Sequence, residues 1–91
     1  MTMAERTVVV GSKVGLHARP AATFTRAAGA AGVPVTIAVG AGDPVDAASM
    51  LAVMTLGVEY GTEVTLRAEG EGADRVLDSL VGVLASDLDA A

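Results

Sequence analysis

Two stretches of alternating residues constrain the fold of this chain more than any other feature. In "VPVTIAV" (33–39) and "TEVTLRAE" (62–69) every second residue is apolar, a pattern typical of strands that bury one face. The run "TVVVG" (7–11) is β-branched and ends in glycine, which predicts another strand. Pro44 and Val45, just after the "GAGD" turn, predict a brief strand that closes a hairpin. The sequence therefore predicts a sheet with one apolar face.

Three other segments carry apolar residues at helical spacing. The first has Ala21, Phe24, Ala28 and Ala31; the last has Ala73, Leu77, Leu80, Leu84 and Leu88. Between them "ASMLAVMTLG" (48–57) has Ser49 as its expected N-cap and Gly57 as its stop. The order strand, helix, strand, strand, helix, strand, helix predicts an α+β fold, in which helices cover the apolar face of a mostly antiparallel sheet.

The composition excludes several classes of function. Ninety-one residues predict a single domain over 1–91. With one histidine and no cysteine, we expect no transition-metal site and no metal cofactor. The net charge of −5 argues against nucleic-acid binding. Because no long apolar run and no typical signal segment is present, we expect a cytoplasmic protein that does not insert into a membrane.

The single histidine lies in "VGLHARPAA" (14–22), within the basic part of the chain. No acidic residue occurs between Arg6 and Gly42, whereas the chain from Asp43 onward is strongly acidic. The cations of the first part are Arg6, Lys13, Arg19 and Arg26. A basic neighbourhood around His17 is therefore expected, although chance clustering in a short chain would give the same pattern.

Pro20 predicts that a helix begins near Ala18, with His17 at or beside its N-cap. The first N–H groups of a helix have no intrahelical acceptor and lie at its positive end. An anion on the imidazole would therefore meet the N–H groups of Ala18 and Arg19, and the Arg19 guanidinium. The same positive field favours a neutral, nucleophilic ring that could accept a phosphoryl group. An ordinary polar cap explains these residues equally well.

Three segments resemble the histidine-containing phosphocarrier (HPr) family of the bacterial sugar phosphotransferase system. They are "GLHARPAA", "ASMLAVMTLGV" and "GTEVTLRAEGEGADRVLDSLVGVL". The resemblance implies an open-faced βαββαβα sandwich with four antiparallel strands and three helices on one face. It implies a carrier, not an enzyme, that takes a phosphoryl group from Enzyme I and passes it to Enzyme IIA domains. His17 would carry that group on Nδ1, Arg19 would neutralise it, and Pro20 would fix the turn.

The resemblance also implies a docking surface for these partner proteins. Its expected members are Thr23, Arg26, Met50, Leu51 and Met54. Ser49 matches a serine that a kinase modifies in some relatives, but Ala48 stands where those relatives often have lysine. Val14 replaces a small polar residue, so any side-chain hydrogen bond in this loop must come from Ser12 or Lys13 or be absent.

Several alternatives to a sugar-transport carrier remain open from the sequence. The chain could be a paralogue serving a regulatory branch and meeting regulatory proteins. It could also be a module that binds an anion without a covalent bond, or, more remotely, a hydrolase. We expect a monomer, because the contacts of a carrier are transient.

Overall fold

The computed structural model describes residues 3–86, which form seven elements. These are β1 (Met3–Val9), α1 (Ala18–Gly29), β2 (Val35–Val39), β3 (Val45–Asp46), α2 (Met50–Thr55), β4 (Glu63–Glu69) and α3 (Ala73–Ala85). The predicted order of strands and helices is confirmed. Leu88, the last member of the predicted helical row, lies outside the described residues.

The strands form one four-stranded antiparallel sheet in the order β1-β4-β2-β3. Strand β4 lies inside the sheet and pairs with β1 on one side and β2 on the other. Val64 of β4, for example, lies opposite both Val8 and Val39. Both neighbours of β4 are thus far from it in the sequence, and the sheet forms only when both halves of the chain meet.

Among residues 3–86, elements cover only one face of the sheet. In β4 the residues Val64 and Leu66 are buried, whereas Glu63, Arg67 and Glu69 are exposed, as the alternation predicts. Helices α1 and α3 each bury one row of apolar side chains, and a single core results. Its largest fully buried side chains include Phe24, Ile37, Leu66, Leu77, Leu80, Leu84, Val53 and Val64. The open-faced arrangement is confirmed.

Strand β1 begins earlier than the sequence predicted and ends before Gly11. It contains Arg6, which alternates with the buried Ala4 and Val8 and so lies on the helix side of the sheet. The Arg6 guanidinium donates to Asp74 at 3.0 Å and to Asp78 at 3.1 Å, both on α3. These hydrogen bonds raise the pKa of Arg6 above its usual value. Arg6 therefore ties β1 to α3 and does not belong to the expected basic neighbourhood of His17.

Within residues 3–86, no helix is long and apolar enough to cross a membrane.

Candidate functional site

His17 occupies the N-cap of α1, as Pro20 predicted. Its backbone is extended (φ −79°, ψ −170°), and its carbonyl accepts the first helical hydrogen bond, from Ala21 N at 2.8 Å. The His17 side chain is exposed and makes no capping hydrogen bond. The imidazole is therefore available to another molecule, since nothing in the cap occupies it.

The backbone beside this imidazole offers free donors. The N–H groups of Ala18 and Arg19 have no acceptor among residues 3–86, and Pro20 has no N–H group to satisfy. Pro20 is buried, which fixes the turn into the helix. Two amides at the positive end of α1 thus lie next to the exposed ring, the arrangement in which helices bind anions.

The loop before His17 is held by backbone hydrogen bonds. Leu16 N donates to Val58 O at 3.0 Å, and Gly15 N donates to Ser12 O at 2.9 Å. Gly15 has a positive φ of 68°, and a Cβ there would lie 2.4 Å from Val58 O. Only glycine fits both the dihedral angle and the contact. No local sequence pattern indicates this requirement, because Val58 is distant in the chain.

Val14 cannot supply a side-chain hydrogen bond to this loop. Among residues 3–86, neither Ser12 nor Lys13 supplies one instead. Ser12 is 1% exposed, and its hydroxyl has no partner among the described residues. Lys13 is exposed and makes no side-chain hydrogen bond within the same range. Among residues 3–86, the hydrogen bonds that hold this loop therefore come from backbone groups.

His17 opens into a shallow depression that two different parts of the chain form. Its lining residues are Lys13, Val14, His17, Arg19, Pro20, Glu59 and Tyr60. Glu59 and Tyr60 follow α2, and Leu16–Val58 pairing brings them beside the histidine. Neither residue was predicted to be near His17, because no local pattern indicates a contact between segments so far apart. The surroundings of His17 are therefore not purely basic, as had been expected, but contain one carboxylate.

The predicted cationic residues of α1 share an exposed stripe. Arg19, Thr23 and Arg26 follow each other at spacings of four and three, and the Thr23 hydroxyl donates to Arg19 O at 3.3 Å. The salt bridges among residues 3–86 involve only Arg6 and Arg67. Arg19 and Arg26 thus remain without an intramolecular carboxylate partner in this part of the chain.

Helix α2 presents the predicted apolar residues to solvent. Leu51 is 76% exposed and Met54 is 43% exposed, while Val53 is fully buried on the opposite side. Met50 is half-buried and contacts Thr25 on α1. We call Met50, Leu51 and Met54 the apolar patch. As expected, Ser49 caps the helix, and its hydroxyl accepts from Ala52 N at 3.2 Å.

The apolar patch lies beside α1, and α2 runs in the opposite direction to α1. The first residue of α2, Met50, contacts Thr25, about two turns into α1. After α2 the chain passes beside the loop before His17, where Val58 O accepts from Leu16 N. Met54, in the last turn of α2, is therefore the member of the patch at the His17 end.

The model of one protein family, described as "PTS HPr component phosphorylation site", matches residues 4–86. The Phosphocarrier protein HPr of Streptomyces coelicolor is 55% identical over 87 residues, covering 96% of this chain and 94% of the relative. The chain belongs to the HPr family. Members of the HPr family are phosphocarriers of the phosphotransferase system and are not catalysts in their own right.

Solved HPr structures have the same fold. A crystal structure of HPr from Bacillus anthracis superposes with a TM-score of 0.86 at 32% identity, covering 92% of this chain and 99% of the other. An HPr dimer from Thermoanaerobacter tengcongensis gives 0.71 at 34% identity, with 93% and 97% covered. The expected HPr architecture is thereby confirmed.

Proposed function

We propose that His17 is the phosphoryl acceptor of this carrier. It would receive the group from the phosphohistidine of Enzyme I and pass it to sugar-specific Enzyme IIA domains. The observation that carries this proposal is the exposed imidazole at the N-cap of α1, beside the unbonded N–H groups of Ala18 and Arg19. A covalent carrier needs a nucleophile that a partner can reach and donors for the charge it takes up.

The transfer is a single exchange of nitrogen–phosphorus bonds. The lone pair of His17 Nδ1 attacks the phosphorus atom on Enzyme I. As the new bond forms, the bond to the donor imidazole breaks and that ring keeps its electron pair. The phosphoryl oxygens then lie where the N–H groups of Ala18 and Arg19 and the Arg19 guanidinium stabilise their charge. The same exchange in reverse passes the group to Enzyme IIA.

The partner-binding surface in this proposal combines the apolar patch with the cations of α1. Exposed apolar side chains next to Arg19 and Arg26, which have no carboxylate partner among residues 3–86, fit an acidic partner with an apolar centre. Thr23 lies between the two arginines on the same stripe. Methionine adapts to different contact shapes, which suits a surface that meets several proteins in turn.

The test of the acceptor is incubation with phosphoenolpyruvate and Enzyme I, followed by intact-mass measurement. We expect one added phosphoryl group, removed by acid and retained in alkali, and none on His17→Ala. Arg19→Ala should slow transfer roughly 10- to 100-fold, because hydrogen bonds to charged groups contribute that much. Arg75→Ala, which makes the same charge change on α3, is the matched control and should transfer normally. An adduct that survives on His17→Ala would refute the assignment.

The patch is tested by Met54→Glu, which should weaken phosphorylation by Enzyme I while the far-UV circular dichroism stays unchanged. Met3→Glu is the matched control, because Met3 is 63% exposed and lies at the end of β1 away from the His17 loop. Equal transfer kinetics for the two variants would show that the apolar patch takes no part in docking to Enzyme I.

The alternatives predict different results in the same assays. A regulatory-branch paralogue would be phosphorylated at His17 but would not pass the group to any Enzyme IIA domain. A module that binds anions without a covalent bond would show no added mass. Success in both steps of transfer therefore separates the proposed function from both alternatives.

We also propose Ser49 as a regulatory phosphosite. Its role as the N-cap of α2 does not depend on whether a kinase recognises it. Its hydroxyl caps α2, and the adjacent Ala48 N is bonded to Asp46 Oδ1 at 2.9 Å. Phosphate there would place negative charge beside the apolar patch and repel an acidic partner. Incubation with the kinase and ATP, followed by intact-mass measurement, tests the site; an unchanged mass would leave Ser49 only its capping role.

We also propose that the carrier acts as a monomer, because its partners must reach the exposed face around His17. Light scattering after size-exclusion chromatography tests this directly. A mass of two chains at micromolar concentration would contradict it and place this protein with the dimeric relative.

A further inference from the structure

We propose that Met54 is an oxidation site through which hydroperoxides switch off partner docking. The inference rests on the proposed function, since it assigns a control to the same docking surface. It starts from a difference between the two methionines of the apolar patch, which the sequence alone does not reveal.

The two sulfur atoms have different surroundings. Met54 is 43% exposed, and its sulfur makes no hydrogen bond with residues 3–86. Met50 is half-buried and packs against the core, and its Sδ lies 3.8 Å from the Thr25 hydroxyl, which is also 3.4 Å from Ala22 O. Thr25 itself is buried. Because oxidation requires a peroxide to reach the sulfur and its lone pair, Met54 is the reactive member and Met50 the protected one.

The reaction is a two-electron oxygen transfer. The Met54 sulfur lone pair attacks one oxygen of hydrogen peroxide, the O–O bond breaks, and a sulfur–oxygen bond forms. After proton transfer the second oxygen leaves as water, so the thioether is oxidised and the peroxide is reduced. Methionine sulfoxide reductases reverse the change with a thiol reductant, which makes the modification a reversible one.

The sulfoxide changes the surface at a critical position. Met54 lies three residues after Leu51 on the exposed side of α2, and it is the member of the patch at the His17 end. A sulfoxide dipole there has to be buried when a partner docks, and an apolar partner surface offers it no donor. Leu51 is inert to peroxide and Met50 is the less exposed methionine, so the proposal assigns the control to Met54.

The modification is mapped first, independently of any transfer assay. The chain contains four methionines, and Met1 and Met3 fall in the first tryptic peptide. Met50 and Met54 share the tryptic peptide from 27 to 67, which contains no other Lys or Arg before its end. Fragment ions must therefore assign the added oxygen within it. We expect Met54 to oxidise several-fold faster than Met50; equal rates would overturn the structural basis of the proposal.

Transfer from Enzyme I is then measured before and after peroxide treatment. We expect the KM for the carrier to rise about tenfold in the treated protein, the usual effect of burying an unpaired polar group. Treatment with methionine sulfoxide reductase should restore the original KM. Each variant is compared with its own untreated rate, so effects of the substitution cancel.

Two variants locate the effect. Met54→Leu should lose its sensitivity to peroxide, whereas Met3→Leu should keep the sensitivity of the natural chain. A protein that carries sulfoxide at Met54 but transfers with unchanged KM would refute the switch and leave the carrier function intact. Absence of any phosphorylation in the untreated protein would instead refute the proposed function, and the switch with it.

Discussion

Gly15→Ala tests how the loop before His17 is held in place. The substitution adds one methyl group at a residue with φ of +68°, directed to within 2.4 Å of Val58 O and 2.7 Å of Glu59 Cα. Both atoms belong to backbone that cannot rotate away as a side chain would. The matched control is Gly32→Ala, because Gly32 also has a positive φ (+82°) but no atom within 4 Å of its added Cβ.

Both substitutions lose stability because they place alanine at a positive φ, but only Gly15→Ala also creates a steric overlap with neighbouring backbone. An alanine in the left-handed region costs about 1 kcal/mol of stability. At Gly15 the methyl also separates Leu16 N from Val58 O, a hydrogen bond that contributes about 1 kcal/mol. Strain where the added carbon overlaps the backbone adds about 1 kcal/mol more. We therefore expect a loss of about 3 kcal/mol for Gly15→Ala and about 1 kcal/mol for Gly32→Ala.

The measurement is urea unfolding followed by far-UV circular dichroism, since the chain has no tryptophan to report by fluorescence. The two variants should have the same denaturant slope, so the midpoints give the difference in free energy directly. Phosphorylation by Enzyme I should also slow for Gly15→Ala, because the displaced loop carries His17, and should stay unchanged for Gly32→Ala. Equal midpoints for the two variants would refute the steric argument.

Three further substitutions test other parts of the structure. Ser49→Ala removes the hydroxyl that accepts from Ala52 N and should lower the free energy of unfolding by about 1 kcal/mol; urea unfolding would show it, and Ser49→Asn, another good capping residue, should lose less. Phe24→Ala empties a fully buried position and should lower the free energy of unfolding by about 3–5 kcal/mol; a thermal midpoint close to that of the natural chain would contradict the described core. Tyr60→Ala should raise the KM for Enzyme I without changing stability, because this 62% exposed ring lines the His17 depression; an unchanged KM would exclude the ring from docking.

The elements and their buried faces were predictable from the sequence, because periodicity is a local property. The alternation in β4 assigned Val64 and Leu66 to the core without any knowledge of what covers them. The N-cap position of His17 was predictable for the same reason, since Pro20 restricts the first turn of the helix that it belongs to.

Contacts between distant segments were not predictable. Arg6 lies on the helix side of β1, where Asp74 and Asp78 of α3 accept from its guanidinium. A charged residue in mid-strand breaks the apolar alternation, so the first half of β1 was not predicted. Tyr60 lines the depression at His17 because the hydrogen bond from Leu16 N to Val58 O brings the chain after α2 beside this loop. These contacts form only in the assembled sheet, so they cannot be inferred from a short stretch of the sequence.

The loop between β1 and α1 has a further consequence for how this protein is made. The Gly11 amide donates to Leu84 O at 2.9 Å, and a Cβ on Gly11 would overlap Ala85 O. The last turn of α3 thus supports the loop that leads to His17. On a ribosome, a chain stopped before α3 lacks that support, as well as the other half of the Arg6 ion pairs. We therefore expect the loop that leads to His17 to take its final conformation only after α3 has been made.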